Sequence, residues 1–170
     1  YTLTFNGGYT YVNAAGDGLD SNGSLTVNGG YVFVSQTGGG NSPIDCDSKW
    51  SYNGGVVIAG GSSDMFSESI PASYNFVNRS ASISAGTTIT AVSGSNVIGT
   101  MTFANSAAAI VICTPESSVS VYSGGTLSGT TYFSSSSANT KMKAGYGGTI
   151  SGGTQLSSNS SSGGNNPWGF

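Results

Sequence analysis

The chain has no histidine, two cysteines and four prolines in 170 residues, and only 6% of its side chains are charged. Without histidine, Ser-His and Cys-His nucleophiles are excluded. The only cations are Lys49, Arg79, Lys141 and Lys143, and the net charge is −3, so no basic patch is available to neutralise phosphates and nucleic acid is not an expected partner. The longest apolar run, Ala107 to Cys113, is too short to span a bilayer. No signal peptide is visible, so any export signal has been removed or lies outside this segment. Cys46 and Cys113 match neither a metal spacing nor a disulfide framework. They read as two buried free thiols, with a Cys46–Cys113 disulfide as the alternative.

Solubility must therefore come from Ser, Thr, Asn and Gly, since soluble domains usually carry roughly 25% charged residues. That profile fits an extracellular or cell-surface β-rich protein. One phrase recurs three times: Leu3-Thr-Phe-Asn-Gly-Gly-Tyr-Thr-Tyr11, Leu25-Thr-Val-Asn-Gly-Gly-Tyr-Val-Phe33 and Trp50-Ser-Tyr-Asn-Gly-Gly-Val-Val-Ile58. The spacings, 22 and 25 residues, are one coil of a β-solenoid. Apolar residues alternate around each Asn-Gly-Gly, so two short strands meet at a glycine corner. Stacking predicts columns Leu3–Leu25–Trp50 and Phe5–Val27–Tyr52, and an Asn6–Asn28–Asn53 ladder. By parity Tyr9, Tyr11, Tyr31, Phe33, Trp50 and Tyr52 are expected inside the coils. The first coil is uncapped at Tyr1, so either further coils precede it or another molecule stacks there.

From Phe66 the pattern changes. Strand-like runs at 87–92, 97–103, 108–113, 119–122, 126–133 and 147–151, separated by turn residues, point to a small antiparallel sandwich. The stretch from Ser157, rich in Ser, Gly and Asn, is too polar to order itself, except that Trp168 and Phe170 should dock.

Five of the seven acids, Asp17, Asp20, Asp45, Asp47 and Asp64, fall in the repeat segment. Aligning Leu19-Asp-Ser-Asn22 with Ile44-Asp-Cys-Asp47 stacks Asp20 on Asp45 and Asn22 on Asp47. Stacked carboxylates repel unless neutralised, and Ca²⁺ accepts an irregular set of carboxylate, amide and carbonyl oxygens. Asp17 and Asp64 serve equally well as turn formers. Lys49 alone lies near these acids in sequence and reads as a charge partner. Tyr74, Phe76, Tyr122, Tyr132, Phe133 and Tyr146 are candidates for a sugar-stacking platform. Asn22, Asn78 and Asn159 stand in Asn-X-Ser sequons.

The strings Gly16-Asp-Gly-Leu-Asp-Ser-Asn-Gly-Ser-Leu-Thr-Val-Asn-Gly-Gly30, Ile44-Asp-Cys-Asp47 and Ile58-Ala-Gly-Gly-Ser-Ser-Asp-Met65 resemble the bacterial carbohydrate-binding parallel β-helix family. The likeness is close over residues 1–65 and looser beyond, where it rests on Val121-Tyr-Ser-Gly-Gly-Thr-Leu-Ser-Gly129. It implies binding of cellulose or polygalacturonan, calcium on the helix and no catalysis. The chain departs from the family pattern in having few coils, in Cys46 where an aromatic is expected, in Asp64 where a glycine is, and in lacking an apolar strand after Gly152-Gly-Thr-Gln-Leu156.

The expected architecture is all-β: a short right-handed parallel β-solenoid of about three coils over 1–65, an Ig-like sandwich one strand short over 66–156, and a tail over 157–170. The expected function is non-catalytic polysaccharide binding. The alternative is a self-assembling protomer of an extracellular fibre, since an open coil end and a missing strand are complementary deficits between identical subunits. A lyase or hydrolase ranks third, because no general base is well placed.

Overall fold

The computed structural model describes residues 1–133 and 143–159. Lys141 and the tail beyond 159, with Trp168 and Phe170, lie outside the described residues. The protein is all-β, its sheets are mixed in direction and none closes into a barrel. No helix among the described residues is long and apolar enough to cross a membrane.

The repeat segment supplies β1 (Thr2–Phe5), β2 (Tyr9–Ala14), β3 (Leu19–Ser21), β4 (Ser24–Val27), β5 (Tyr31–Gln36), β6 (Ile44–Cys46), β7 (Ser51–Tyr52) and β8 (Val56–Gly61). They pair in parallel as β1-β4-β7, β2-β5-β8 and β3-β6. The register sets Leu3 on Leu25 and Phe5 on Val27, then Val27 on Tyr52. Each corner turns on the second glycine of Asn-Gly-Gly, with φ of 81° at Gly8, 83° at Gly30 and 84° at Gly55. Only glycine enters that region without strain. Stacking adds a second demand, because a Cβ on Gly30 would lie 2.5 Å from the carbonyl carbon of Gly7. Beside the corners the asparagine amides bond in sequence: Asn28 Nδ2 donates to Asn6 Oδ1 and Asn53 Nδ2 to Asn28 Oδ1, both at 2.8 Å.

The corner also reverses the parity expected of the aromatics. Phe5 packs against the core inside the coils, and so does Val12. The strand after each corner therefore points Val32, Val34, Val57 and Ala59 inward, and turns Tyr11, Tyr31 and Phe33 to its other face. Tyr9 is exposed. Phe5 and Val12 both face inward although they are seven positions apart, an odd separation that strict alternation does not allow, so the corner shifts the parity by one. Trp50 and Tyr52, before their corner, do face the inner core, and Trp50 Nε1 donates to Ser69 O at 3.0 Å.

That outward face is covered by the second half of the chain: β9 (Phe76–Asn78), β10 (Thr88–Ser93), β11 (Asn96–Thr102), β12 (Ala109–Cys113), β13 (Ser120–Ser123), β14 (Thr126–Ser128), β15 (Thr131–Tyr132), β16 (Ala144–Tyr146), β17 (Thr149–Ser151) and β18 (Thr154–Leu156). The run 126–133, expected as one strand, breaks at Gly129, whose φ is 73°. β12 pairs antiparallel with β8 and with β9, which extends the sheet to β2-β5-β8-β12-β9 and carries it across residue 65. A six-stranded antiparallel sheet, β15-β16-β11-β10-β13-β18, packs on it. Phe33, Ile58, Ile110 and Ile112 from one sheet meet Ile89, Met101 and Val121 from the other. The six-stranded sheet thus faces a sheet built jointly from the repeat strands β2, β5 and β8 and from β12 and β9. β8 serves both cores and is buried along its whole length.

The far edge is closed as well. β18 pairs with β13, and Asn159 N donates to Val77 O at 2.7 Å while its side chain accepts from Arg79 N at 2.7 Å. Residues 157–159 are therefore fixed against β9, although the tail was expected to be unordered from Ser157.

Candidate functional site

A 3-10 helix, Phe66–Ser69, enters through Met65 at φ 51° and lies against β6. Ser69 Oγ donates to Ile44 O at 3.0 Å and accepts from Ile44 N at 2.9 Å. This one hydroxyl continues the β3-β6 column by a further layer. It also brings Glu68 beside Asp45, which itself stands in register with Asp20. Glu68 is close enough to Asp45 for that carboxylate to act on its own carboxyl. Burial first, then the Asp45 and Asp17 carboxylates, push its pKa up. Its Oε2 is covered and has no hydrogen-bond partner among the described residues.

The six expected ligands separate into groups. Asp20 and Asp45 share a column. Asp47 lines a cavity of 300 Å³ with Glu68, Lys49 and Cys46. Asn22 is exposed beside them. Asp17 spends Oδ1 on Ser42 N at 2.8 Å, and Asp64 spends Oδ2 on Gly40 N at 3.1 Å, so both hold the glycine loops as turn formers do. Asp45 and Glu68 form a close pair, yet no three Asp, Glu, Cys or His side chains converge as a metal cage among the described residues. Lys49 lines the same cavity as Glu68, so one cation is already nearby, and the covered, unpartnered oxygen is a group that a hard cation completed by carbonyls or water would also suit. Glu68 was missed because it falls outside the repeated phrase. Its spacing of 23 residues from Asp45, beside the 25 between Asp20 and Asp45, was the available signal.

Cys46 and Cys113 are free thiols. Burial pushes Cys113 up to about 12, and burial with the Asp45 charge raises Cys46. At the sequons Asn78 Nδ2 donates to Ser157 O at 2.9 Å and Asn159 holds Arg79 N, while Asn22 is exposed.

Among the platform candidates Phe76 is buried and Tyr122 half-buried. Tyr146 and Phe133 join Tyr9 and Tyr31 in a stacked cluster, with ring centroids 4.2 Å apart for Tyr9–Phe133 and 5.0 Å for Tyr31–Tyr146. Tyr74 and Tyr132 are exposed. Compared with known proteins, the chain matches no family model, no curated protein and no solved structure.

Proposed function

We propose that this chain is a non-catalytic, extracellular polysaccharide-binding module. In this reading residues 1–65 form a short right-handed β-solenoid of about three coils and carry calcium on their carboxylate column. The observation that carries it is the Asp45–Glu68 contact. Neighbouring carboxylates disfavour each other's charge, which a proton or a cation relieves, and Asp20 and Asp17 add negative charge nearby. Asp45 and Glu68 would hold the ion, and Asp20 and Asp47 would draw it in. Bound there, Ca²⁺ would supply vacant coordination positions to the carboxylates of an acidic glycan. The resemblance of residues 1–65 to carbohydrate-binding β-helices supports the same substrate class.

Retention on a polygalacturonate column in calcium should fall on chelation and in the double variant D45N/E68Q. Full retention after both changes removes calcium from the reading, and no retention in calcium overturns it. Release of unsaturated or reducing ends on prolonged incubation would replace binding by catalysis, with Lys49 the nearest base to the acids.

A second reading, a fibre protomer, is favoured by one observation. Among the described residues β1 and β2 are edge strands, and because Tyr1 and Phe5 carbonyls accept from Ser24 and Asn28, strand alternation points the backbone groups of Thr2 and Thr4 away from β4. Such edges recruit neighbouring strands. Light scattering of the wild type and of T4P, which removes one of those donors, decides it: a monomer in both eliminates the fibre.

A further inference from the structure

The outer face of the six-stranded sheet carries a polar trench remote in sequence from the carboxylate column. Strand register places Tyr132, Gly145, Thr100 and Thr90 in one row. Thr102 N donates to Lys143 O at 2.7 Å, so Lys143, Thr102 and Thr88 make the next row. Ala144 between them points into the core, which fixes its neighbours Lys143 and Gly145 on the outer side. Gly145 stands between Tyr132 and Thr100 without a side chain, and a Cβ there would collide with the Thr131 backbone. A cavity of 280 Å³ opens beside this gap, with Thr126 and Leu127 as its other wall.

The lining has a particular chemistry. Tyr132 is 45% exposed, and the Lys143 ammonium lies 5.5 Å from its ring centroid, within cation–π range. None of the described lining residues is acidic. Thr88 and Thr102 hydroxyls are 2.8 Å apart. One hydrogen is used between them, which leaves the second hydroxyl free to donate outward.

We infer that this trench binds one hexuronate unit of an acidic polysaccharide. The apolar C–H face of a pyranose stacks on Tyr132, its carboxylate pairs with Lys143, and its ring hydroxyls meet Thr88 and Thr102. The volume falls at the small end of ligand pockets, about 300 Å³, which suits a single ring. A neutral sugar would leave the ammonium without its charge-assisted bond. This inference rests on the polysaccharide-binding reading but needs no metal, so the two sites separate in a chelator.

Titration calorimetry with tetragalacturonate in chelator tests it. The wild type should bind, K143M and Y132A should each raise Kd about ten-fold or more, the scale of one hydrogen bond to a charged group, and cellotetraose should bind correspondingly weaker. Unchanged melting curves certify the folds. If Y132A fails to fold, K143M decides, since Lys143 is exposed. Binding in chelator that neither variant weakens overturns the trench. Binding only in calcium also overturns it while the function above stands, and absence of binding in either condition overturns both.

Discussion

The two halves of the molecule meet in one sheet but are built by opposite rules. In β1 to β8 each residue rests on its counterpart 22 or 25 positions later, so a column repeats one kind of chemistry, as in Asn6–Asn28–Asn53. In β9 to β18 antiparallel pairing sets unlike residues together, such as Thr90 with Tyr122 and Met101 with Ala144. Charge divides the same way. Six of the seven acids lie at or before Glu68, while three of the four cations lie at or after Arg79. Repetition concentrates like charges, and that makes the first half the acidic one. The antiparallel half can place a single lysine among hydroxyls, which suits an anion.

The largest test asks whether the halves are separable at all. Phe33 belongs to a repeat strand but is fully buried against the second half. Phe33→Ala should cost about 3–5 kcal/mol and shift one cooperative denaturation transition for the whole chain. Two resolved transitions would mean that the shared sheet does not couple them.

A smaller effect separates a stacked corner from a free turn. Gly30 and Gly94 both have positive φ, 83° and 59°, but only Gly30 has backbone close to its would-be Cβ. Gly94→Ala should cost about 1 kcal/mol, the left-handed penalty alone. Gly30→Ala should cost about 2 kcal/mol or more, because the corner below must also move. Equal losses in urea melts would refute the close-approach argument.

The smallest effect concerns pH. Glu68 has a raised pKa in the folded state, so the folded chain holds that proton more tightly than the unfolded one. In chelator, the contribution is full below the ordinary glutamate range and is lost as pH rises through the raised value. The melting temperature should therefore decline over that window in the wild type, but not in E68Q. Added calcium should flatten the decline, and identical profiles for the two proteins would show that Glu68 is not held by Asp45.

Much of the first half is legible in sequence because parallel stacking writes each column at a fixed interval. The Leu3 and Phe5 columns and the asparagine amides lie where that interval puts them. Parity was not legible across the corner, since alternation does not record how Asn-Gly-Gly rotates the strand that follows it. Nor was the shared sheet, because the pairing of Val57 with Cys113 spans sequence that no repeat connects. Glu68 lies on a 3-10 helix held at Ser69, by its hydroxyl on Ile44 and its carbonyl on Trp50, and the trench draws Tyr132, Lys143 and the threonines from strands far apart in sequence. The trench leaves no periodic trace, and Glu68 leaves only its offset of 23 residues from Asp45.

The parallel stack is finished differently at its two sides. β8 is sealed by the antiparallel β12, and the β3-β6 column by the 3-10 helix, whereas β1 and β2 remain edges. A structure of this kind can change length during evolution on one side only. Duplicating a unit there would add one Asn-Gly-Gly corner and one more rung to each sheet, without altering a contact between β8, β12 and the strands beyond. The length of the stack and the packing between the two sheets are therefore separable traits: the first can vary by gene duplication in steps of one coil, while the second is left to point substitution.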